Sequence, residues 1–315
     1  MFFTRFVASR RQRTARPTFV PADQLRNRIL VLIMRPALYM KSVLYFLLAG
    51  TALAEEAPRP VDGIMDNSFL VEEAYNQEPG VVQHIFNGVY GRGQLFGPDR
   101  NSADFTFTQE WPIFSQTHQF SYTLPYSFFW SGSDSANGFG DVLLNYRYQA
   151  YLNEKTLTGF APRFSLALPT GEYRKGFANN TFGYQWNLPF STTLNDRWFV
   201  HANAGLTYLP EMGDVTPRDL LNFNLGASTI YCVNGRFNLM LEWIGNWVEV
   251  PLGDGTERHF LSVISPGMRY AFNFKSGAQL VVGLAAPIGL TSGSPDLGAF
   301  LYLSFEHRFL EAEKK

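Results

Sequence analysis

The last strand-like stretch of the chain reads FLYLSFEHRF, residues 300–309. Leu301, Leu303, Phe305 and Phe309 fall on one parity, and Ser304, Glu306 and Arg308 fall on the other. Side chains alternate across a β-strand, so this stretch makes a strand with one apolar and one polar face. A soluble sandwich turns the apolar face inward to a core. A membrane barrel turns it outward to lipid.

The same alternation recurs along the chain, between clusters of turn residues. It predicts strands over residues 80–90, 103–113, 117–128, 139–151, 159–168, 181–191, 196–208, 219–232, 236–248, 258–272, 277–288 and 298–309. Most are longer than the roughly five or six residues of soluble strands, and about 9–11 residues let a tilted strand cross a bilayer. The connections alternate in length. Long GRGQLFGPDRNS (91–102), WSGSDSAN (130–137), PTGEYRKGFANN (169–180), PEMGDVTPRD (210–219), PLGDGTE (251–257) and GLTSGSPDL (289–297) interleave with short turns near 115, 153–156, 194–197, 233–235 and 274–277. Even strand number, short turns at one end and long loops at the other are the plan of an outer-membrane barrel.

The faces support that plan. Phe120, Tyr122, Leu124, Tyr126 and Phe128 oppose Gln119, Ser121 and Thr123. Val142, Leu144, Tyr146 and Tyr148 oppose Asp141, Asn145, Arg147 and Gln149. The wet side of a sandwich would be rich in Lys and Glu, whereas here Asn, Gln, Ser, Thr and Gly prevail. Small amides and hydroxyls suit a confined lumen in which neighbours satisfy one another. The expected fold is all-β, a twelve-stranded antiparallel up-and-down transmembrane barrel over residues 80–309, followed by a charged tail at 310–315.

Composition agrees. Of 315 residues only 17% are charged while 16% are aromatic, with 29 Phe and 15 Tyr; an average domain is about one-quarter charged. The net charge of −1 gives no attraction for a polyanion such as nucleic acid. The single cysteine, Cys232, excludes an internal disulfide and a multi-cysteine metal site. Near the start, MKSVLYFLLAGTALAEE (40–56) joins Lys41, an apolar run and Ala52-Leu53-Ala54, the layout of a cleaved secretory signal. Translation is expected to begin at Met34 or Met40, with cleavage after Ala54, and the product to reach the outer membrane of a double-membraned bacterium. Residues 55–79 are expected to form a periplasmic lead-in segment. Within them EEAYNQEPG (72–80) reads either as a lumen plug or as a plain strand lead-in, and the lead-in is preferred.

Three stretches, SFLVEEAYNQEPGVVQHI (68–85), GFGDVLLNYRYQ (138–149) and PRFSLALPTGEY (162–173), resemble the outer-membrane family known as MetA-pathway of phenol degradation. The resemblance runs from about residue 62 onward. It implies a transporter-like barrel, sometimes associated with catabolism of aromatic compounds, and carries no catalytic residues.

Candidate lumen-lining residues are Glu110, Arg147, Arg163, His201, Glu242, Arg269, Glu306 and Arg308. Opposed charges in a constriction impose a field on passing solutes; equally, they can close a narrow barrel as ion pairs. His201 with Ser228 is the one pair worth testing as the core of a lipid hydrolase, since a nucleophile needs a base within hydrogen-bond reach. No HExxH, metal spacing or acidic calcium loop occurs, so no catalytic, metal or cofactor residue is assigned. The expected function is a channel or passive transporter for small, apolar or aromatic molecules. The alternatives are an outer-membrane lipid hydrolase and a structural or adhesion barrel acting through its outer loops. The expected partners are outer-membrane lipids, a small solute, and the barrel-assembly machinery, which would read the last strand ending at Phe309.

Overall fold

The computed structural model describes residues 68–93, 100–213, 216–252 and 255–309. The leader with Met34, Met40 and the Ala54 cleavage point, residues 55–67 and the 310–315 tail lie outside the described residues.

Sixteen strand segments follow one another: β1 (Val81–Arg92), β2 (Asn101–Ile113), β3 (Ser115–Ser131), β4 (Asp134–Phe139), β5 (Val142–Tyr148), β6 (Tyr151–Asn153), β7 (Thr158–Phe160), β8 (Arg163–Leu168), β9 (Gly183–Asn195), β10 (Trp198–Met212), β11 (Arg218–Asn234), β12 (Phe237–Leu252), β13 (Gly255–Asn273), β14 (Gln279–Ala285), β15 (Ile288–Gly289) and β16 (Leu297–Arg308). They make twelve staves of one closed antiparallel barrel, because β4–β6, β7–β8 and β14–β15 are single staves interrupted locally. Prolines account for most of the interruptions. Proline has no N–H to give the ladder, but its carbonyl still accepts: Gly140 N–H donates to Pro125 O (2.9 Å), Tyr148 N–H to Pro162 O (3.0 Å) and Ala286 N–H to Pro266 O (2.9 Å). Each stave therefore continues through its break.

Closure is made by β1 on β16, in unbroken register from Val81↔Arg308 to Arg92↔Leu297. A closed sheet leaves no unpaired edge, which hydrocarbon would penalise by several kcal/mol per orphaned group. Five tight turns and the start of β1 share one end with the end of β16. At the opposite end, two of the expected long loops are in fact strand. The β3–β4 ladder continues to Ser131↔Asp134 around Gly132, whose φ of 58° fits a tight turn, and the β12–β13 ladder continues to Leu252↔Gly255. Turn-forming composition in those stretches marks a narrow hairpin tip rather than a wide loop.

The barrel is inside out relative to a soluble protein. His201, Glu242 and Ser191 are fully buried, whereas Leu194 is 67%, Leu188 48% and Phe272 48% exposed. Gln119, Ser121, Asn145, Arg147 and Asn187 point inward, and Leu124, Tyr146, Phe164, Trp186 and Leu241 outward. Paired outward aromatics mark two levels: Trp198–Tyr231 (4.9 Å between ring centroids) at the turn end and Trp247–Phe260 (4.7 Å) at the loop end. Amphipathic rings at two levels with aliphatics between them match the two headgroup layers of a bilayer. An exposed face this apolar is stable only in hydrocarbon.

Leu241 lies between the two aromatic levels and Leu252 beyond them at a hairpin tip. We expect Leu241→Arg to destabilise the barrel by about 2 kcal/mol or more and Leu252→Arg by roughly 0–1 kcal/mol. Reversible urea unfolding in phospholipid vesicles, followed by tryptophan fluorescence, checks the difference; equal costs at both sites would contradict the placement of the bilayer.

Candidate functional site

Two non-strand segments enter the lumen from opposite ends. The first is residues 68–78, immediately before β1. The preference for a plain strand lead-in is corrected here, because this segment runs across the lumen and is held by stave after stave. Its course is set by backbone hydrogen bonding. An extended segment outside any ladder must satisfy its N–H groups on side chains or water. Gln77 N–H donates to Gln119 Oε1 (2.7 Å) near the turn end, Asn76 N–H to Gln149 Oε1 (3.0 Å), and Ala74 N–H to Ser191 Oγ (2.8 Å). Farther on, Phe69, Leu70 and Val71 N–H converge on one carboxylate oxygen, Glu242 Oε1, at 3.1, 2.9 and 3.1 Å. Ser68 Oγ donates to Ser228 Oγ at 2.6 Å.

Packing reinforces the course. The Phe69 ring lies 5.2 Å from Phe300 and 5.1 Å from Tyr302, within an apolar cluster that includes Ile85, Met240 and Val281. The wall makes room for it with glycine. A Cβ on Gly283 would collide with the Phe69 ring, and one on Gly159 would stand 2.6 Å from the Ala74 carbonyl oxygen. Close backbone approach of this kind is what an inward glycine permits.

Charges complete the join. Arg147, 3% exposed, donates from Nε to Asn76 Oδ1 (2.8 Å) and from Nη2 to Tyr75 O (2.5 Å), and pairs with Glu73 (3.3 Å) and Glu72 (3.5 Å). Glu110 stands 3.9 Å from the same guanidinium. Arg163 Nε meets both Glu72 oxygens at 2.8 and 2.9 Å, and Asn187 Nδ2 donates to Glu72 Oε2 at 2.6 Å. Buried ion pairs hold only where further hydrogen bonds satisfy the remaining donors and acceptors. Arg163 meets that condition through Asn145, Ser165 and Gln185.

The second segment, between β8 and β9, folds inward at the loop end. One carboxylate, Asp141, anchors it by accepting from Gly171 N–H (3.1 Å), Asn179 N–H (2.8 Å) and Asn179 Nδ2 (2.9 Å). Phe177 stacks on Phe129 at 5.1 Å, and Tyr173 packs on the inward cluster of Leu209, Met212, Leu220, Val248 and Leu261. Between the two segments lies a chamber of about 250 Å³. Leu70 to Glu73 form its floor and Gly176 to Asn179 its roof, while the walls carry Asn145, Asn187, Asn203, Asn222 and Asn246 beside Leu209, Ile244 and Val248.

The eight expected lumen residues all lie on inward positions, but in several places. Arg147, Arg163 and Glu110 form the cluster just described. Glu242 takes its hydrogen bonds from the backbone of residues 69–71. Arg269 sits between Asn238 and Gly283 in register and Glu306 between Gln83 and Gln279, whereas Arg308 meets Glu78 at 3.8 Å at the rim. His201 faces Ser228 on β11 and Ser191 on β9, and its Nδ1 bonds the Ser191 Oγ at 2.7 Å. Ser228 Oγ instead accepts from Ser68 Oγ, so the hydrogen bond that orients His201 is the one to Ser191. Sequence reasoning missed Glu72, Glu73 and Asn187, whose importance comes from the segment that crosses the lumen.

Residues 80–287 match the family described as "Putative MetA-pathway of phenol degradation". The chain belongs to that family. The match begins at Gly80, so the lumen-crossing residues 68–78 of this MetA-pathway family member precede it. No curated protein matches the sequence significantly. Among solved structures, an outer membrane channel from Pseudomonas putida F1 aligns over 75% of this chain and 98% of its own, at 14% identity and a TM-score of 0.58. The autotransporter NalP translocator domain from Neisseria meningitidis aligns over 74% of this chain and 90% of its own, at 13% identity and a TM-score of 0.48. The NanC porin aligns over 72% of this chain and all of its own, at 11% identity and a TM-score of 0.44. The first of these likenesses establishes the outer-membrane barrel fold.

A hydrogen bond to a charged group contributes about 1.5–3 kcal/mol, and 1.4 kcal/mol is a factor of about ten. Removing the Glu242 carboxylate should therefore raise the open population of the 68–71 stretch at least about tenfold. We expect a Glu-specific protease to cleave after Glu72 or Glu73 at least about ten times faster in Glu242→Ala than in the unaltered barrel, read by the N-terminus of the product. Unchanged cleavage would show that Glu242 does not hold the segment.

Proposed function

We propose that this protein is a non-enzymatic outer-membrane channel for small organic molecules, with residues 68–78 as a displaceable constriction at its periplasmic end. The observation that carries this reading is the chamber inside the barrel, walled by strand side chains and closed at its two ends by chain segments. A barrel that serves only as a scaffold has no need of an interior space held open by polar walls.

The chemistry of the walls bears on the cargo. Amides on several staves offer donors and acceptors to a polar group, and Leu209, Ile244 and Val248 offer an apolar surface to a hydrocarbon body. Binding sites for small molecules commonly combine a mainly apolar lining with a few convergent polar groups. A small aromatic or aliphatic molecule bearing one polar function suits that mixture better than a bare ion or a large sugar. The family to which the chain belongs is named for phenol degradation, which is consistent with such a solute. In the same reading the last strand, β16 with Phe309 directly after it, is what the assembly machinery engages.

The constriction is the part to remove. Deleting residues 68–77 while keeping the export signal and Glu78-Pro79-Gly80 should raise single-channel conductance in planar bilayers severalfold. It should also raise the rate of liposome swelling in small neutral solutes. A truncated barrel that folds, as judged by heat-dependent gel mobility, yet stays sealed to ions and small solutes would overturn the channel reading.

A further inference from the structure

The geometry points to a carboxylate-binding subsite on the lumen wall, formed by Arg163 and Asn187 and occupied by the chain's own Glu72, so that the class of solute received there is small organic carboxylates. This rests on the channel reading and narrows its substrate class.

Three observations support it. The first is the fit around Glu72. Both carboxylate oxygens meet Arg163 Nε, at 2.8 and 2.9 Å, and one of them also accepts from Asn187 Nδ2 at 2.6 Å, with Arg147 Nη1 3.5 Å from the other. The second is that the wall holds its donors ready. Arg163 is 9% exposed, and its Nη1 and Nη2 are fixed by Asn145, Ser165 and Gln185, all on the barrel wall. Only the Nε edge is turned to the segment. A guanidinium pre-oriented by other hydrogen bonds loses little freedom when a carboxylate arrives.

The third is charge. Glu72 and Glu73 belong to the removable segment, while Arg147, Arg163 and Glu110 belong to the wall. Without the segment this wall cluster carries two positive charges and one negative, a net of +1. One carboxylate from the segment balances that formal charge, and Glu72 is the one that both guanidiniums reach. Glu72 therefore supplies the anion that the wall lacks, and its withdrawal leaves an anion-receptive patch. Arg163, Asn187 and Glu72 all border the chamber, so a carboxylate bound there would have Leu209 and Ile244 within the same space for its organic part.

The segment and an incoming carboxylate compete for one place. Emptying that place should expose it: in Glu72→Ala the subsite is vacant while residues 69–71 stay on Glu242. We expect equilibrium dialysis of the purified full chain against benzoate to show binding at least about tenfold tighter in Glu72→Ala than in the unaltered protein. Adding Arg163→Gln, or Asn187→Ala should the arginine variant fail the heat-mobility test of folding, should abolish the gain. Benzamide, which has the same body without the charge, should bind no better in Glu72→Ala. No gain for benzoate, an equal gain for benzamide, an equal gain for inorganic phosphate, or a gain that survives the second substitution would each overturn the proposal. Dialysis measures binding without conduction, so its failure is separable from that of the channel reading. A conducting truncated barrel with no benzoate gain leaves a channel with another cargo, and a sealed one that binds benzoate leaves a receptor site without a pore.

Discussion

Hydrocarbon offers no hydrogen-bond partner, and that constraint shapes this molecule from the ladder inward. A backbone that crosses a bilayer must satisfy every N–H and C=O within itself. Closure of β1 on β16 does this for the barrel as a whole, and the proline breaks show how tightly it is enforced. Where a proline withholds its N–H, its carbonyl still holds the neighbouring stave, as at Pro125, Pro162 and Pro266. The same constraint puts Leu, Phe, Tyr and Trp outside and consigns the amides and charges to the lumen.

The lumen then inherits a second problem of satisfaction. A wall of Asn, Gln, Ser and buried Arg needs partners, and residues 68–78 are a strand's worth of backbone that also needs partners. Each solves the other. Gln119, Gln149, Ser191 and Glu242 accept the segment's N–H groups, while the segment's carbonyls and carboxylates take the donors of Arg147 and Gln149. This reciprocity explains why the wall is rich in side chains that can accept from a backbone. It also explains Glu242, an inward carboxylate flanked in register by Ser228 and Ser265: three converging N–H dipoles oppose its charge, rather than a cation alone.

The fold was legible in the sequence because lipid exposure imposes a strict period of two. Gln119, Ser121, Asn145, Arg147 and Ser304 could be placed on the inner face from parity alone. The site was less legible, for reasons that are physical. Parity tells which side a residue faces but not which neighbour it meets. His201 stands opposite serines on both adjoining strands, and only the side-chain direction selects Ser191 over Ser228. The segment 68–78 has no periodicity, since it is neither a strand nor a helix and its contacts change stave with almost every residue. One signal was present. Gly159 and Gly283 break otherwise inward-facing stretches, and a missing side chain inside a barrel marks where another backbone passes. Likewise, the long loops at 130–137 and 251–257 were over-read, because turn composition marks the tip of a hairpin but not the length of the strands below it.

Covalent attachment decides how such a constriction can behave. The segment joins β1 through Pro79 and Gly80, the latter at a φ of 78° that glycine adopts without strain. A tether of a few residues keeps a released segment at an effective concentration on the order of millimolar beside its site. The tether adds to the many contacts that already hold the segment, so displacing it requires several of them to be lost together. Rebinding is equally assured. In the proposed channel a free ligand must overcome that local concentration to take the segment's place, so a weakly binding solute would gain entry only when abundant. In that proposal a constriction built from residues 68–78 sets a threshold as well as a barrier, and the threshold is tuned by how well residues such as Glu72 fit the wall.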